Sequence, residues 1–142
     1  ADVAGVVCEV RTAAGQQVRL TYDESDRSTI LYYFSPSCRW CERNWANVEA
    51  LANATTDRYR FVAVTAAAAG QASAGGRPRS FEVYGGLSER DRRAAGLGGT
   101  PHTIVISPTG LVQRAWMGTF RGENQREIEA YFGVTLPGVP PS

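Results

Sequence analysis

Apolar residues recur along this chain in short runs cut by polar or glycine-bearing turns. The run at 29–34, Thr-Ile-Leu-Tyr-Tyr-Phe, is continuous, aromatic and β-branched. That is the pattern of a strand covered on both faces at the centre of a mixed or parallel sheet. Ahead of it, 6–11 and 17–20 flank Ala13-Ala14-Gly15 and predict a hairpin, followed by the polar turn Asp23-Glu24-Ser25-Asp26. After the stop Ser35-Pro36-Ser37 the period lengthens. Cys41, Trp45, Val48 and Ala52 recur at helical spacing, with Glu42, Arg43 and Asn47 largely on other faces. Residues 59–65 read as a second buried strand, 66–80 as a small-residue loop or poorly packed helix, and 81–84 as a short strand. Ser88 caps a short helix over 88–95 that ends near Gly96. Segments 102–107 and 111–117 pair across the turn Ser107-Pro108-Thr109-Gly110, and 122–132 closes the chain as an amphipathic helix with Ile128, Tyr131 and Phe132 inward.

Strand–helix–strand crossovers followed by an antiparallel hairpin predict an α/β three-layer sandwich. A central mixed β-sheet carries helices on both faces, with an N-terminal β-hairpin beside it. A chain of 142 residues suits one compact domain, burying roughly two-thirds of its unfolded surface. Residues 1–135 form that domain, and 136–142, with three prolines, form a C-terminal tail that is disordered or draped. No internal repeat is evident.

Composition removes several function classes. Fifteen basic residues against fourteen acidic ones leave a formal charge of +1, too balanced for the basic surface of a nucleic-acid binder. The longest apolar runs, such as Ala66-Ala67-Ala68-Ala69, fall far short of the ~20 residues of a membrane span. Every basic residue is Arg, so a Schiff-base lysine and a phosphate-loop lysine are both excluded. His102 is the single histidine, which excludes any site built on two imidazoles. Three cysteines cannot build a disulfide framework. The chain begins at Ala1 without Met, consistent with a removed initiator or targeting segment, and no signal peptide is visible in what remains.

Cys38-Arg39-Trp40-Cys41 is the strongest local signal, placed where a buried strand ends and a helix begins. That is the context of a redox-active pair. Two intervening residues let the sulfurs meet in the first helical turn, where unpaired N–H groups and the helix dipole stabilise the Cys38 thiolate. Cys41, one turn inward, is shielded and suited to resolve a mixed disulfide. The rival reading is half a tetrahedral metal site, which would need Cys8 and His102 as the remaining ligands.

The segments ILYYFSPSCRWCERNWANVEAL (30–51) and GGTPHTIVISPTGLVQRAWMGTF (98–120) resemble the thioredoxin superfamily. The upstream GQQVRL (15–20) looks like its extracytoplasmic TlpA-like branch, which includes cytochrome c maturation thiol reductases. The resemblance runs from about Val6 to Phe132. It implies a thiol–disulfide oxidoreductase without bound cofactor, exchanging disulfides with protein clients and served by a redox partner protein. It also implies a cis Thr100-Pro101 bond, with the backbone of Thr100 facing Cys38 and docking an extended substrate. A monomer in the bacterial periplasm, or on the outer face of a membrane with an anchor ahead of Ala1, fits that branch. The alternatives are a thioredoxin-fold metal-binding or copper-handling protein, and a redox-inert interaction domain.

The sequence departs from the family at several points. Trp40 stands where many relatives have Pro, and Tyr32, six residues before Cys38, replaces a buried acid that manages the proton of the second cysteine. Glu42 lies near by sequence, but nothing in the sequence makes it the substitute. Peroxiredoxin chemistry fits poorly, because Ser35 and Pro36 occupy the positions its supporting Thr would need. Trp40 belongs on the rim of the thiol as a docking residue, and Arg39 is either a thiolate-tuning cation or a solvated surface charge. Trp45 reads as core, His102 as a strand-edge surface residue, and Cys8 as a buried structural thiol.

Overall fold

The computed structural model describes residues 8–23, 26–67 and 81–139. The chain start, the middle of the polar turn at 24–25, most of the small-residue segment at 66–80 and the last three residues lie outside the described residues.

The strands are β1 (Glu9–Arg11), β2 (Gln17–Arg19), β3 (Ser28–Tyr33), β4 (Tyr59–Val64), β5 (Glu82–Tyr84), β6 (His102–Ile106) and β7 (Val112–Met117). The helices are α1 (Arg39–Arg43), α2 (Trp45–Ala54), α3 (Glu89–Ala94) and α4 (Gly122–Phe132). β1 and β2 form the N-terminal hairpin, with Val10 opposite Val18. The other five make one mixed sheet in the order β5-β4-β3-β6-β7. β3 runs parallel to β4 and antiparallel to β6, so the apolar run of the sequence becomes the central strand.

Alternation along β3 sends side chains to two cores. Ile30, Tyr32 and Phe34 pack with Val48, Leu51, Ile128 and Phe132 beneath α2 and α4. Leu31 and Tyr33 pack with Val10, Leu20, Leu87 and Leu97, on the face covered by the hairpin and the α3 region. Burying each large apolar side chain of this kind contributes about 1.5–3 kcal/mol. The result is the three-layer arrangement that the crossovers require.

Local chemistry sets the ends of the elements. Ser88 Oγ accepts the Asp91 N–H at 3.1 Å and caps α3. Gly110, at φ 89°, closes the β6–β7 turn by donating its N–H to the Ser107 carbonyl. Gly133, at φ 69°, ends α4 in the left-handed region that favours glycine. Beyond it, the Leu136 N–H donates to Glu129, the Gly138 N–H donates to Asn47 Oδ1, and the Leu136 side chain enters the first core.

Two expectations need correction. The continuous helical pattern after Ser37 is broken at Asn44, which ends α1 and starts α2. Its side chain turns inward to bind Tyr32 and Phe120 instead of continuing the surface. Asn47, read as lying off the buried face, is fully buried, because the segment after α4 folds over it and supplies partners.

Candidate active site

β3 delivers the chain to the site and α1 starts it. Cys38 is the N-cap of α1, with extended backbone (φ −82°, ψ 114°), and its Sγ accepts the Cys41 N–H at 3.1 Å. A sulfur thus fills the role usually held by a capping oxygen, satisfying a helix-end N–H. Cys38 is half-buried, and its Sγ lies 3.7 Å from the Thr100 carbonyl oxygen. Burial pushes the Cys38 thiol up. Hydrogen bonds from the Cys41 thiol, the Thr100 side chain and the N–H groups of Cys41 and Trp40 outweigh it, leaving the pKa below its ordinary value.

Cys41 has the opposite environment. It is buried in the first core, and desolvation together with its hydrogen bond to Cys38 pushes its pKa up to about 12. Both cysteines are free thiols. Three positions apart in sequence, they divide cleanly: one sulfur is accessible and favours the anion, while the other is sheltered and favours the thiol.

Beneath the pair lies a buried polar lattice where the resembled family has a carboxylate. Asn44 Nδ2 donates to Tyr32 Oη at 3.1 Å, and Asn44 Oδ1 accepts from Asn47 Nδ2 at 3.1 Å and from the Phe120 N–H at 3.0 Å. Tyr32 is packed against Phe34, Trp45, Phe61 and Phe120, and burial holds its phenol well above the ordinary range. Sequence reasoning noticed Tyr32 but missed Asn44. The available signal was an amide on the same stripe as Cys41 and Val48.

The other wall comes from the loop before β6. The Thr100-Pro101 bond is cis, the Thr100 carbonyl faces Cys38, and the Pro101 carbonyl accepts the Gly118 N–H at 2.8 Å. His102 follows, and here the expected surface residue is buried, at 6% exposure. Its Nδ1 accepts the Gly98 N–H at 2.8 Å, and burial lowers its pKa, so the ring is a neutral pin for the loop. Trp40 is exposed on the rim, with the guanidinium groups of Arg121 and Arg43 at 4.3 and 5.3 Å from its ring centroid. A groove of about 310 Å³ runs from there, lined by Trp40, Thr100, Pro101, Gly118, Arg121 and Asn124 among others. Nothing in the sequence pointed to Arg121, because only the fold brings the start of α4 to this rim.

The remaining residues sit apart or outward. Trp45 is half-buried and packs on Phe34 and Phe81 as a core residue. Arg39 is exposed and makes no hydrogen bond or ion pair among the described residues. Cys8 is fully buried in the second core, and desolvation pushes its thiol up to about 11. Cys8 lies in the second core and the Cys38–Cys41 pair at the first, so the sheet stands between them, with His102 on the Ile104 face of the Cys8 side. The three sulfurs and the imidazole do not converge. Among the described residues no helix is long and apolar enough to cross a membrane.

No family model matches this sequence, and no curated protein matches it. Solved structures do match in fold. An exposed lipoprotein thioredoxin of Streptococcus pneumoniae superposes with a TM-score of 0.69 at 16% identity, covering 90% of this chain and 99% of that one. A thiol-disulfide oxidoreductase from Bacteroides fragilis gives 0.68 at 15% identity, covering 90% and 99%. A secreted Mycobacterium tuberculosis disulfide oxidoreductase, homologous to Escherichia coli DsbE, gives 0.66 at 14% identity, covering 88% and 93%. The chain has the thioredoxin-like fold of these proteins.

Proposed function

We propose that the protein is a thiol–disulfide oxidoreductase that exchanges disulfides with protein clients, with Cys38 attacking and Cys41 resolving. The observation that carries this reading is the asymmetry of the pair. Cys38 Sγ is accessible and accepts the Cys41 N–H at 3.1 Å, while Cys41 is buried with its pKa up at about 12. A thiolate is the competent nucleophile in disulfide exchange, and access decides which sulfur meets a client.

In the reducing direction the Cys38 thiolate attacks one client sulfur, forms a mixed disulfide and releases the other client sulfur as thiolate. Cys41 then loses its proton, and its thiolate attacks Cys38 Sγ. The second client thiolate leaves, and the Cys38–Cys41 disulfide remains with two electrons passed to the client. A dithiol partner protein restores the pair by the same steps reversed, and no bound cofactor enters. The backbone of Thr100, beside Pro101 and Cys38, lies along an extended client segment, with Trp40 as the rim contact. Arg39, exposed beside the thiolate, supplies a solvent-screened positive charge. We assign the protein, working as a monomer, to the extracytoplasmic side of a bacterial cell. The exposed lipoprotein and the secreted enzyme among its structural neighbours support that placement.

Trapping tests the division of labour. Cys41→Ser is expected to accumulate mixed disulfides with a disulfide-bonded protein substrate, and Cys38→Ser to accumulate none. Equal trapping by both variants would remove the assigned roles.

A further inference from the structure

The groove beside Cys38 presents cations that no carboxylate of the described structure neutralises. Several arginines elsewhere on the surface pair with carboxylates, Arg19 with Glu9, Arg60 with Glu82, Arg92 and Arg93 with Glu89, and Arg114 with Glu127, although Arg11 bonds only to the Gly15 carbonyl and exposed Arg126 pairs with none among the described residues. Among the described residues Arg43 and Arg121 have no such partner, and neither guanidinium makes a hydrogen bond. Both instead lie over the ring of Trp40, at 5.3 and 4.3 Å. Two cations sharing one aromatic ring repel each other, and an anion beside them relieves that repulsion.

Two neutral donors of the groove are already committed. Asn124 Nδ2 donates to the carbonyls of Met117 and Thr119, and the Gly118 N–H donates to Pro101. The charged donor of the groove wall is Arg121, and Arg43 lies over the same Trp40 ring. Glu42 and Glu123, next to Arg43 and two residues from Arg121 in sequence, are exposed and pair with neither guanidinium. Thr100 connects this wall to the reacting sulfur, since its carbonyl lies 3.7 Å from Cys38 Sγ and the same residue lines the groove.

We propose that the groove selects client segments in which aspartate or glutamate flanks the exchanging cysteine, an inference that rests on the exchange activity proposed above. A client cysteine bonded to Cys38 and extended along Thr100 places its neighbouring side chains against Arg121 and Trp40. There a carboxylate gains a charge-assisted partner in Arg121 and the attraction of Arg43 over the same ring, both of which its neutral counterpart lacks.

The test uses the full chain in its reduced form and three short peptides, each dimerised through its single cysteine. Their flanking residues are aspartate, asparagine or arginine. Each turnover converts one peptide disulfide to two thiols and the Cys38–Cys41 dithiol to its disulfide. Dividing every rate by that of the same peptide with dithiothreitol removes the intrinsic effect of the flanking charge. The acidic peptide is expected to exceed the neutral one by about fivefold at low salt. The advantage should shrink toward one near ~1 M salt, where the Debye length is ~3 Å. It should also vanish in the double variant Arg43→Gln/Arg121→Gln, each protein serving as its own reference through the acidic-to-neutral ratio. Reduction of all three peptides at equal normalised rates by the wild type would overturn the inference while leaving the exchange reading intact. Reduction of none would overturn both. A ratio of one together with Arg-dependent sedimentation on phosphatidylglycerol vesicles would make this a lipid-facing surface and overturn the inference as well.

Discussion

Asn44 reaches under the Cys38–Cys41 pair to donate its side-chain N–H to Tyr32 Oη at 3.1 Å, and both residues are fully buried. Tyr32 stands six residues before Cys38. The carbonyl end of Asn44 simultaneously accepts from Asn47 and from the Phe120 N–H, so a single amide ties β3, α2 and the loop before α4 together. A buried polar group is tolerated only when its partners are present, and this amide is the partner of three others.

The first expectation follows from that count. Asn44→Ala leaves the Tyr32 hydroxyl, the Asn47 amide and the Phe120 N–H short of a partner and should cost about 2–4 kcal/mol. Tyr32→Phe removes one hydroxyl and leaves one donor unmatched, so about 1–2 kcal/mol is expected. Urea unfolding reads both as midpoint shifts at an unchanged slope. An Asn44→Ala loss no larger than that of Tyr32→Phe would show that the lattice is not organised around Asn44.

The sheet and the reactive pair were legible because each rests on a local pattern. The run ending at Phe34 reads as a central strand from its own apolar residues, and the cysteine spacing reads as a helix-start pair from its position after that strand. The misread residues owe their state to chain segments distant in sequence. Asn47 is polar and lies off the apolar stripe, and besides Asn44 its partners are the distant Gly138 N–H and Phe120 carbonyl, which make its burial tolerable. His102 resembles a strand-edge residue until the loop at Gly98 folds back to donate to its ring. The break at Asn44 has the same origin, since helix propensity cannot register a phenol waiting on a neighbouring strand. Tertiary partners decided each of these, and a single sequence does not display them.

Selective alkylation should separate the thiols. Cys38 has a pKa below the ordinary thiol value of 9.0, so its thiolate fraction and its iodoacetamide rate rise with pH through a midpoint below 9.0. Cys41, with its pKa at about 12, and buried Cys8 should stay unmodified over that range in the folded protein. The donors on the Cys38 sulfur are backbone and site groups, whereas Arg39 is exposed. Arg39→Ala is therefore expected to move the midpoint by less than about 0.3 pH unit, because solvent screens a charge in that position. A wild-type midpoint at or above 9.0 would sink the activated thiolate. A shift approaching one unit in the variant would assign the activation to Arg39.

Alkaline stability tests the environment of Cys8. Its thiol titrates near 9.0 when free of the fold and at about 11 within it. Between those values the folded state holds a proton that the unfolded state has released, so stability falls as pH rises. Cys41 acts with the same sign between 9.0 and about 12, and buried Tyr22 and Tyr32 add to it above their ordinary value of 10.0. Cys38 acts oppositely, its lowered pKa favouring the folded state fully above 9.0 and losing that contribution as pH falls through the folded value. Cys8→Ala removes one group from this balance. The variant starts less stable at about pH 8 for want of a buried sulfur, and the gap to wild type should narrow by about 1–2 kcal/mol by about pH 10.5. Urea unfolding under reducing conditions, repeated across that range, measures the gap directly. Parallel curves for the two proteins would mean that Cys8 titrates alike in both states and is not the desolvated thiol described here.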